Sequence, residues 1–599
     1  MGKKYLGILG ILAVFSLSAE EETIEEIISI ASKAPEEREN VIATVDVLDS
    51  DDLNKQAPKD VLSFLSNSLA LDVSSNGGPG QYASIFLRGA NSNQSLIKVN
   101  GVKINPSTAG GASINNLDVT LISKIEVGSG PFSSTHGSEA IGGVINIWTI
   151  GNQQDTSLSM TISGGPDNFT RESLQRNWGT KDKSFNLVLL NSRTEGFPSL
   201  SSSQINRGYT NKSLVSSFIN ETQQTSTLIS TWFSEGNTEY LDFQGNPLSQ
   251  KYKNSAHALD VTYKPYDLYW ILVSLNSSKD FIYQNQDNFL GLRDLTETNR
   301  NNLEIVFHKP ILNRISFSLG YILESENVNY SSYGTRFRKH LKTKSLIAES
   351  FFNSNKQRAF LKLRLSEHDS YGNQFSWNFN YMKNLEKNWS VRLSSGFAFR
   401  SPNSSELYGY GANVNLKPEN SRGHEISANK KHDENEEFSI VLFKNDIKNL
   451  ITFDFHDYLL KNIEQSSTKG LELRYKWNHK FFKGKLVLRS QDPKDQMGNQ
   501  LIRRSRKSMS INLYRDLNLC SINLNLVAFD KRKDFDGTVL PGYGLIHMSF
   551  TKEISEQLGF SIRLENIFDK EYFTAAGSNG YYRNQGRSIW LNSKLKIRR

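Results

Sequence analysis

Beyond residue 150 the chain alternates apolar and polar side chains with little interruption. Leu158, Met160 and Ile162 interleave with Ser159, Thr161 and Ser163, and Phe185, Leu187 and Leu189 follow Ser184 and Asn186 in the same rhythm. Leu361, Leu363 and Leu365 alternate with Lys362 and Arg364; Met509, Ile511 and Leu513 with Ser510 and Asn512; Ile522, Leu524 and Leu526 with Asn523 and Asn525; Phe560, Ile562 and Leu564 with Ser561 and Arg563. A period of two belongs to strands with one apolar and one polar face. Soluble sandwiches share it, but two packed sheets rarely extend over the 449 residues that follow Ile150. The polar face also carries full charges, which suit a wet lumen better than a packed interior. At about 20 residues per strand and loop, the length predicts a mainly β fold of about 22 antiparallel strands closed into a transmembrane β-barrel.

Residues 33–150 break that rhythm. A helix is predicted from Pro58, with Val61, Leu62, Leu65 and Leu69 on one face. Short strands follow at 71–73, 85–87, 96–99, 124–127 and 144–147, punctuated by Asn100-Gly101 and Gly142-Gly143. This predicts a compact α+β domain ahead of a barrel (residues 151–599) wide enough to hold it, so that residues 33–150 form a plug in the lumen. Further upstream, Lys3 and Lys4 precede an apolar run at 6–15 and the small residues Ser16, Ser18 and Ala19. That run is too short to span a membrane and predicts a signal peptide over residues 1–19, leaving 20–32 as a short exported segment.

Composition narrows the function classes. No later stretch approaches 18 consecutive apolar residues and mean hydropathy is −0.48, so a helical membrane protein is excluded, whereas a barrel is not. The 34 Phe, 23 Tyr and 8 Trp are enough for interfacial girdles. Cys520 is the one cysteine and cannot form an intramolecular disulfide. The net charge of +8 is dispersed, its one dense basic run being residues 503–507, and an exported chain with dispersed charge does not predict nucleic-acid binding.

Candidate chemistry is sparse. Gly78-Pro79-Gly80-Gln81-Tyr82-Ala83 fits G-x-G-x-x-A, but a strand follows where a dinucleotide site needs a helix. The stretch reads instead as a flexible glycine apex that lifts Gln81, Tyr82 and Ser84 toward an opening. No nucleophile elbow, H-E-x-x-H or Cys/His metal spacing occurs, and His136 between Ser134 and Ser138 reads as structural, so no catalytic residue, cofactor or metal is expected. In extended form Ile27, Ile28, Ser29 and Ile30 could add as a strand to a partner's sheet edge. Arg88 ends the apolar strand Ile85-Phe86-Leu87, where it could pair with acids on a lumen wall.

Taken together, these segments resemble a TonB-dependent outer-membrane receptor over essentially the whole chain. The resemblance is carried by "IFLRGAN", "VNGVKIN" and "GPFSSTHGSEAIGGVINI" in the plug, and by "FRSPNSSELYG", "NLKPENS", "KGLELRY" and "NIFDKEY" in the barrel. It assigns residues 20–32 as the TonB-box segment, with Ile24, Glu25, Glu26, Ile27, Ile28, Ser29, Ile30 and Ala31 as the box. Three positions depart from the family pattern: Ser129 for a second plug arginine, Asn100 for an aspartate, and a chain ending in Arg598 and Arg599 instead of an aromatic. Within the family the similarity is to the cobalamin receptors, through "NGGPGQYASIFLRGAN", "LYGYGANVNLKPENS", "NDIKNLITFDFHD" and "NQLIRRSRK". By that resemblance ligand contacts fall on Tyr82, Ser84, Asn91, Ala109, Gly110, Arg503 and Phe535, the last where the family places a tyrosine. Strand parity with Met509 would instead turn Arg504 and Arg506 inward, and the three arginines could equally meet lipopolysaccharide phosphates. The loop aspartates that hold calcium in that receptor are missing from "GFPSLSSSQINRGY", so no calcium site is expected. The resemblance implies a monomer in the bacterial outer membrane that imports cobalamin or another corrinoid, with a TonB-like protein, lipid and lipopolysaccharide as partners. A ferric siderophore is the alternative ligand. A passive porin or adhesin, which needs neither plug nor box, and a barrel enzyme are the weaker alternatives.

Overall fold

The computed structural model describes residues 27–33, 36–37, 41–149, 151, 156–180, 182–242, 244–265, 269–432, 436–454 and 456–598. The predicted signal peptide, and Ile24, Glu25 and Glu26 of the predicted box, lie outside them.

Twenty-two strands among the described residues close into one antiparallel barrel. It runs from Ser157–Gly164 to Ser588–Arg598, and these two strands pair with each other from Ser157 opposite Arg598 to Gly164 opposite Leu591. Closure leaves no unpaired edge, which lipid demands of any spanning sheet. Burial is inverted relative to a soluble protein. Met160 and Ile162 are 46% and 51% exposed, whereas Ser159 and Ser163 on the same strand are 4% and 3% exposed. The same holds along Gln357–His368, where Leu361, Leu363 and Leu365 face out and Lys362 and Arg364 are buried inside. Short turns join strands at one end, such as residues 354–356, and long loops at the other, such as 401–418 and 566–587. By the rule for outer-membrane barrels the long loops are extracellular.

The plug fills the lumen. Its elements are β1 (Ile27–Ile28), β2 (Glu36–Glu37), β3 (Val45–Leu48), α1 (Ser50–Gln56), α2 (Val61–Leu69), β4 (Asp72–Ser75), β5 (Ala83–Phe86), β6 (Ser95–Val99), β7 (Val102–Lys103), β8 (Lys124–Ser129), α3 (Ser133–His136) and β9 (Gly143–Trp148). The central sheet has the order β3-β8-β9-β6-β7, with β6 and β9 parallel. Val99, Ile125, Val127, Ile145 and Ile147 of that sheet pack on Phe64, Leu65 and Leu69 of α2.

α2 starts three residues after Pro58, because Asp60 is its cap: the carboxylate accepts from the Ser63 amide at 2.7 Å. α1 and β3 were not predicted; α1 has a polar sequence and is set by its Asp49 cap, which accepts from the Asp52 amide at 2.9 Å. Asn100 and Gly101 make the tight β6–β7 turn with φ of +50° and +82°. The Asn100 side chain donates to Thr149 Oγ1 and accepts from its amide, each at 2.8 Å, so the family's unusual residue here fastens the turn to the end of β9.

An arginine at a lipid-facing position near mid-membrane costs about 2–4 kcal/mol. Leu363→Arg should lower barrel stability by about that amount in a lipid folding titration, while Leu363→Ile should change it little.

Candidate functional site

Arg88 sits at the end of β5 in the left-handed region, φ +47°, and Gly89 follows at φ +78°. A side chain on Gly89 would meet Thr468 Oγ1 of the barrel wall at 2.5 Å, so only glycine brings this backbone so close. The guanidinium is buried. It donates to Glu425 at 2.6 Å and through two nitrogens to Glu472 at 3.3 Å, and lies 4.5 Å above the Phe443 ring. Glu472, itself fully buried, also accepts from Arg489 at 3.0 Å and Arg474 at 2.7 Å, and Arg474 reaches Asp46 of β3 at 3.1 Å. Three cations and three carboxylates balance, which is how a buried cluster avoids an uncompensated charge.

Other wall arginines bind plug carbonyls left over by the plug's own structure. Helix C-termini present unpaired C=O groups with a negative dipole end. Gln56, the last residue of α1, receives Arg563 and Ser549, each at 2.6 Å. Ala70, the cap of α2, receives Arg489 at 3.0 Å and Ser508 at 2.9 Å. Arg171 donates to Lys59 O, Arg300 to Asn105 O and Arg532 to Val73 O, at 3.0–3.2 Å.

Residues 29–33 lie between plug and wall. Glu126 of β8 accepts from the Ser29 amide at 3.2 Å, its hydroxyl at 3.1 Å, and the Ile30 amide at 3.2 Å. His136 Nε2 donates to the Ile30 carbonyl at 2.8 Å, and burial, aided by the nearby Lys98 and Lys33 charges, keeps that ring neutral. Lys362 donates to the Ala31 carbonyl, and Lys33 pairs with Glu304 at 2.7 Å. Ile30 and Ala31 are buried against Phe132 and Val144. The backbone of Ile27 and Ile28 pairs with that of β2, so part of the predicted box is already strand-paired within the chain.

At the extracellular end the glycine apex is packed against the wall instead of lifted into the opening. A Cβ on Gly77 would lie 2.5 Å from Ser199, and one on Gly80 would lie 2.1 Å from the Tyr209 ring. Gln81 is buried with its amide on Glu239 O, and Ser84 is buried on β5, opposite Ser74. Tyr82 alone of the three is open, at 43%. Gly110 is also exposed and Ala109 half-buried, and the Tyr82 hydroxyl lies 3.3 Å from where a Gly110 side chain would begin.

The arginines divide differently from expectation. Residues 501–506 precede the strand Lys507–Asp516, so strand parity does not govern them. Arg503 holds Asp534 at 2.9 Å and Ala576 O at 3.1 Å, joining three extracellular loops, and stacks beneath the half-exposed Phe535 at 5.1 Å. Arg504 points inward, bonding Gly89 O at 3.3 Å and Asn91 Oδ1, and burial pulls its guanidinium down to about 9. Arg506 is solvent-exposed, 3.6 Å from Asp492.

Aromatic loop residues were missed at the sequence level. Tyr333 lies 6.4 Å from Phe289 and 5.8 Å from Tyr410, all three exposed, and Phe573 stacks on Tyr581 at 4.9 Å. Their only sequence signal is an aromatic beside a turn glycine, as in "SSYGT" and "YGYGA". Below the apex, between plug and wall, a cavity of about 190 Å³ is bordered by Tyr209, Phe529, Tyr543 and Tyr572.

A closed barrel of this size with its lumen filled by an N-terminal plug defines a gated outer-membrane transporter. The chain belongs to the TonB-dependent receptors: residues 37–144 match the TonB-dependent receptor plug domain, and residues 147–567 match the TonB-dependent receptor-like β-barrel. It is an outer-membrane protein of a family of transport receptors, not of enzymes. It is 27% identical to the vitamin B12 transporter BtuB of Vibrio vulnificus over 95% of each chain, and 24% identical to that of Photobacterium profundum over 97% of each. Solved structures of similar fold include the siderophore receptor PirA of Acinetobacter baumannii (TM-score 0.80, 16% identity, 92% of this chain and 98% of that one). A mutant of the ferric enterobactin receptor PfeA of Pseudomonas aeruginosa, in complex with enterobactin, gives 0.81 at 16% identity over 93% and 99%.

Removing one member of a buried charge cluster typically costs about 3–5 kcal/mol. Arg88→Ala should therefore speed amide exchange across residues 80–105 and raise single-channel conductance, with Arg88→Lys intermediate. Glu126→Gln should speed exchange at Ser29 and Ile30 while leaving β5 protected.

Proposed function

We propose that this receptor imports a corrinoid, cobalamin foremost, and that a TonB-like protein drives it by pulling on residues 24–31. The ligand lies on Tyr82, Ala109, Gly110 and Phe535, with Asn91 beside them. Ser84 and Arg503 act behind this surface, one under Tyr82 and the other under Phe535.

The observation that carries the reading is that the arginines near the apex are already committed. An anionic ferric chelate would be met by convergent free cations, but Arg503 is neutralised by Asp534 and Arg504 is buried on carbonyls. What remains open is a tyrosine, small residues and exposed aromatics, the mixture that suits a broad ring with an apolar face and amide arms. The near full-length similarity to vitamin B12 transporters supports the same ligand. Likeness of fold to siderophore receptors at 16% identity does not select a ligand.

Binding a scarce nutrient at nanomolar strength is worth about −12 kcal/mol, and at ordinary on-rates release then takes many minutes. Work applied from the periplasm is therefore needed to move the plug.

Purified receptor should bind cyanocobalamin with submicromolar Kd. Tyr82→Ala should weaken binding about tenfold, about 1.4 kcal/mol, and Gly110→Trp should abolish it. A protein that ignores cobalamin and cobinamide but binds a ferric siderophore overturns the ligand assignment.

Deletion of residues 24–28 spares the buried Ile30 and Ala31. It should leave binding intact and stop uptake by whole cells; persistent uptake would refute the box.

A further inference from the structure

Two motifs of the barrel half, "FRSPNSSELYG" and "NLKPENS", lie outside the ligand surface and meet at one side chain. Arg400 ends the barrel strand Trp389–Arg400, and Glu419 begins the next, Glu419–Lys431. The extracellular loop between them carries α4 (Ser404–Tyr408). The Arg400 side chain is 1% exposed. Its Nε donates to Glu419 at 2.6 Å, and its two terminal nitrogens grip both oxygens of Glu406 on α4, at 2.9 and 3.1 Å. A lysine has no second prong for such a grip. A helix this short has no stability of its own. α4 is held by that grip, by the capping box of Asn403 with Glu406, and by Leu407, which is buried with Leu416 and Ile451.

One guanidinium faces two carboxylates, so neutral donors must meet part of the buried negative charge. One of these donors belongs to the plug. Glu419 accepts from the Ile451 amide at 2.9 Å and from Gln94 Nε2 at 2.8 Å. Gln94 Oε1 in turn accepts the Asn91 amide at 2.7 Å, which fixes the turn that presents Asn91. α4 reaches a second plug loop. The Ser404 and Ser405 amides donate to Ser107 Oγ at 3.2 Å and Ser107 O at 3.1 Å, and the Ser107 hydroxyl donates to Ser404 Oγ at 3.3 Å. Ser107 closely precedes Ala109 and Gly110. Arg400 thus holds both plug loops, one through Glu419 and Gln94, the other through Glu406, α4 and Ser107. We propose that Arg400 is a positioning residue for the cargo. It touches none of the ligand and sets Asn91 against the Ala109–Gly110 loop so that both face the same molecule. This role rests on the ligand placement proposed above and holds whichever nutrient is carried.

The test joins amide exchange on the ligand-free, full-length receptor to binding and uptake of cyanocobalamin. Arg400→Gln should speed exchange at residues 91–95 and 105–111 together, leave β8 and β9 as protected as in wild type, and weaken binding about tenfold or more. Half-saturation of whole-cell uptake should rise with Kd while the saturated rate stays, a split that general loosening of the plug would not give. Arg400→Lys, which keeps the charge without the two-pronged grip, should fall between Arg400→Gln and wild type. Ser107→Ala should speed exchange at 105–111 and leave 91–95 unchanged. Unchanged binding in Arg400→Gln, faster exchange in only one of its two loops, or faster exchange spreading through β8 and β9 would each overturn the proposal. If Arg400→Gln does not reach the heat-modifiable folded form, Arg400→Lys and Ser107→Ala decide, and wild-type exchange at 105–111 in both overturns it. Wild type that ignores cyanocobalamin would refute the corrinoid reading alone, and the exchange pattern would still decide this one.

Discussion

Once a sheet is closed in lipid with its apolar side chains outward, every second residue must point into a lumen, and that lumen is polar by construction. Something has to satisfy it. Water alone fills a porin; here a folded domain does, and most other features of the molecule follow from the match between that domain and the wall. The inward serines, asparagines and arginines are buried without being hydrophobic, which is tolerable only where each finds a partner. The plug supplies those partners largely from its backbone. Carbonyls at the ends of α1 and α2, which their own helices cannot use, receive Arg563 and Arg489. A plug with long helices and few ends would have offered less.

The charged cluster about Glu472 shows the same match carried to full charges. Its members come from β3, the end of β5 and three strands of the wall, and no two oppositely charged members are sequence neighbours except Glu472 and Arg474. Such a cluster stabilises one registration of plug against wall by making all others leave a charge unpaired. The left-handed Arg88 and the side-chain-free Gly89 are the local cost of bringing the guanidinium there, a backbone strain of about 1–2 kcal/mol for the arginine set against several charge-assisted bonds.

This explains what was legible in the sequence. The barrel was, because a period of two over hundreds of residues has few other meanings, and the strand number followed from length alone. The sheet of the plug was legible through its short β-rich runs and the Asn100-Gly101 turn. α1 was not, because SDDLNKQ has no apolar face and owes its helix to a cap and to contacts with distant strands. The surroundings of the glycine apex were legible only as a set of residue types. Tyr82 and Gly110 could be named, but the packing of Gly77 and Gly80 on Ser199 and Tyr209 joins positions more than a hundred residues apart. Loops obey no period, so the directions of Arg503, Arg504 and Arg506 were beyond a parity argument. In the same way Arg88 could be singled out as an arginine at a strand end, while Glu425 and Glu472 could not be matched to it.

The plug is held by polar contacts and by apolar patches such as Val188, Leu190, Val215 and Trp232 of the wall on its core, and the polar part is the part a pull can undo. Had the interface been a hydrophobic core, displacement would expose apolar surface at about 25 cal/mol per Å², with nothing in a wet lumen to recover it. Hydrogen bonds exchange with water at a net cost of only about 0.5–1.5 kcal/mol each, so a pull from one end can break them in sequence. Residues 29–33 add charge-assisted bonds, about 1.5–3 kcal/mol each: two amides and a hydroxyl on Glu126 and one lysine on Glu304, beside one carbonyl on His136. The Glu472 cluster differs from these single bonds, because its members cannot separate without leaving charges unpaired. On the proposed mechanism, in which the pull comes through residues 24–31, the single bonds of the segment at 29–31 part at less cost than the charges that keep the domain in register.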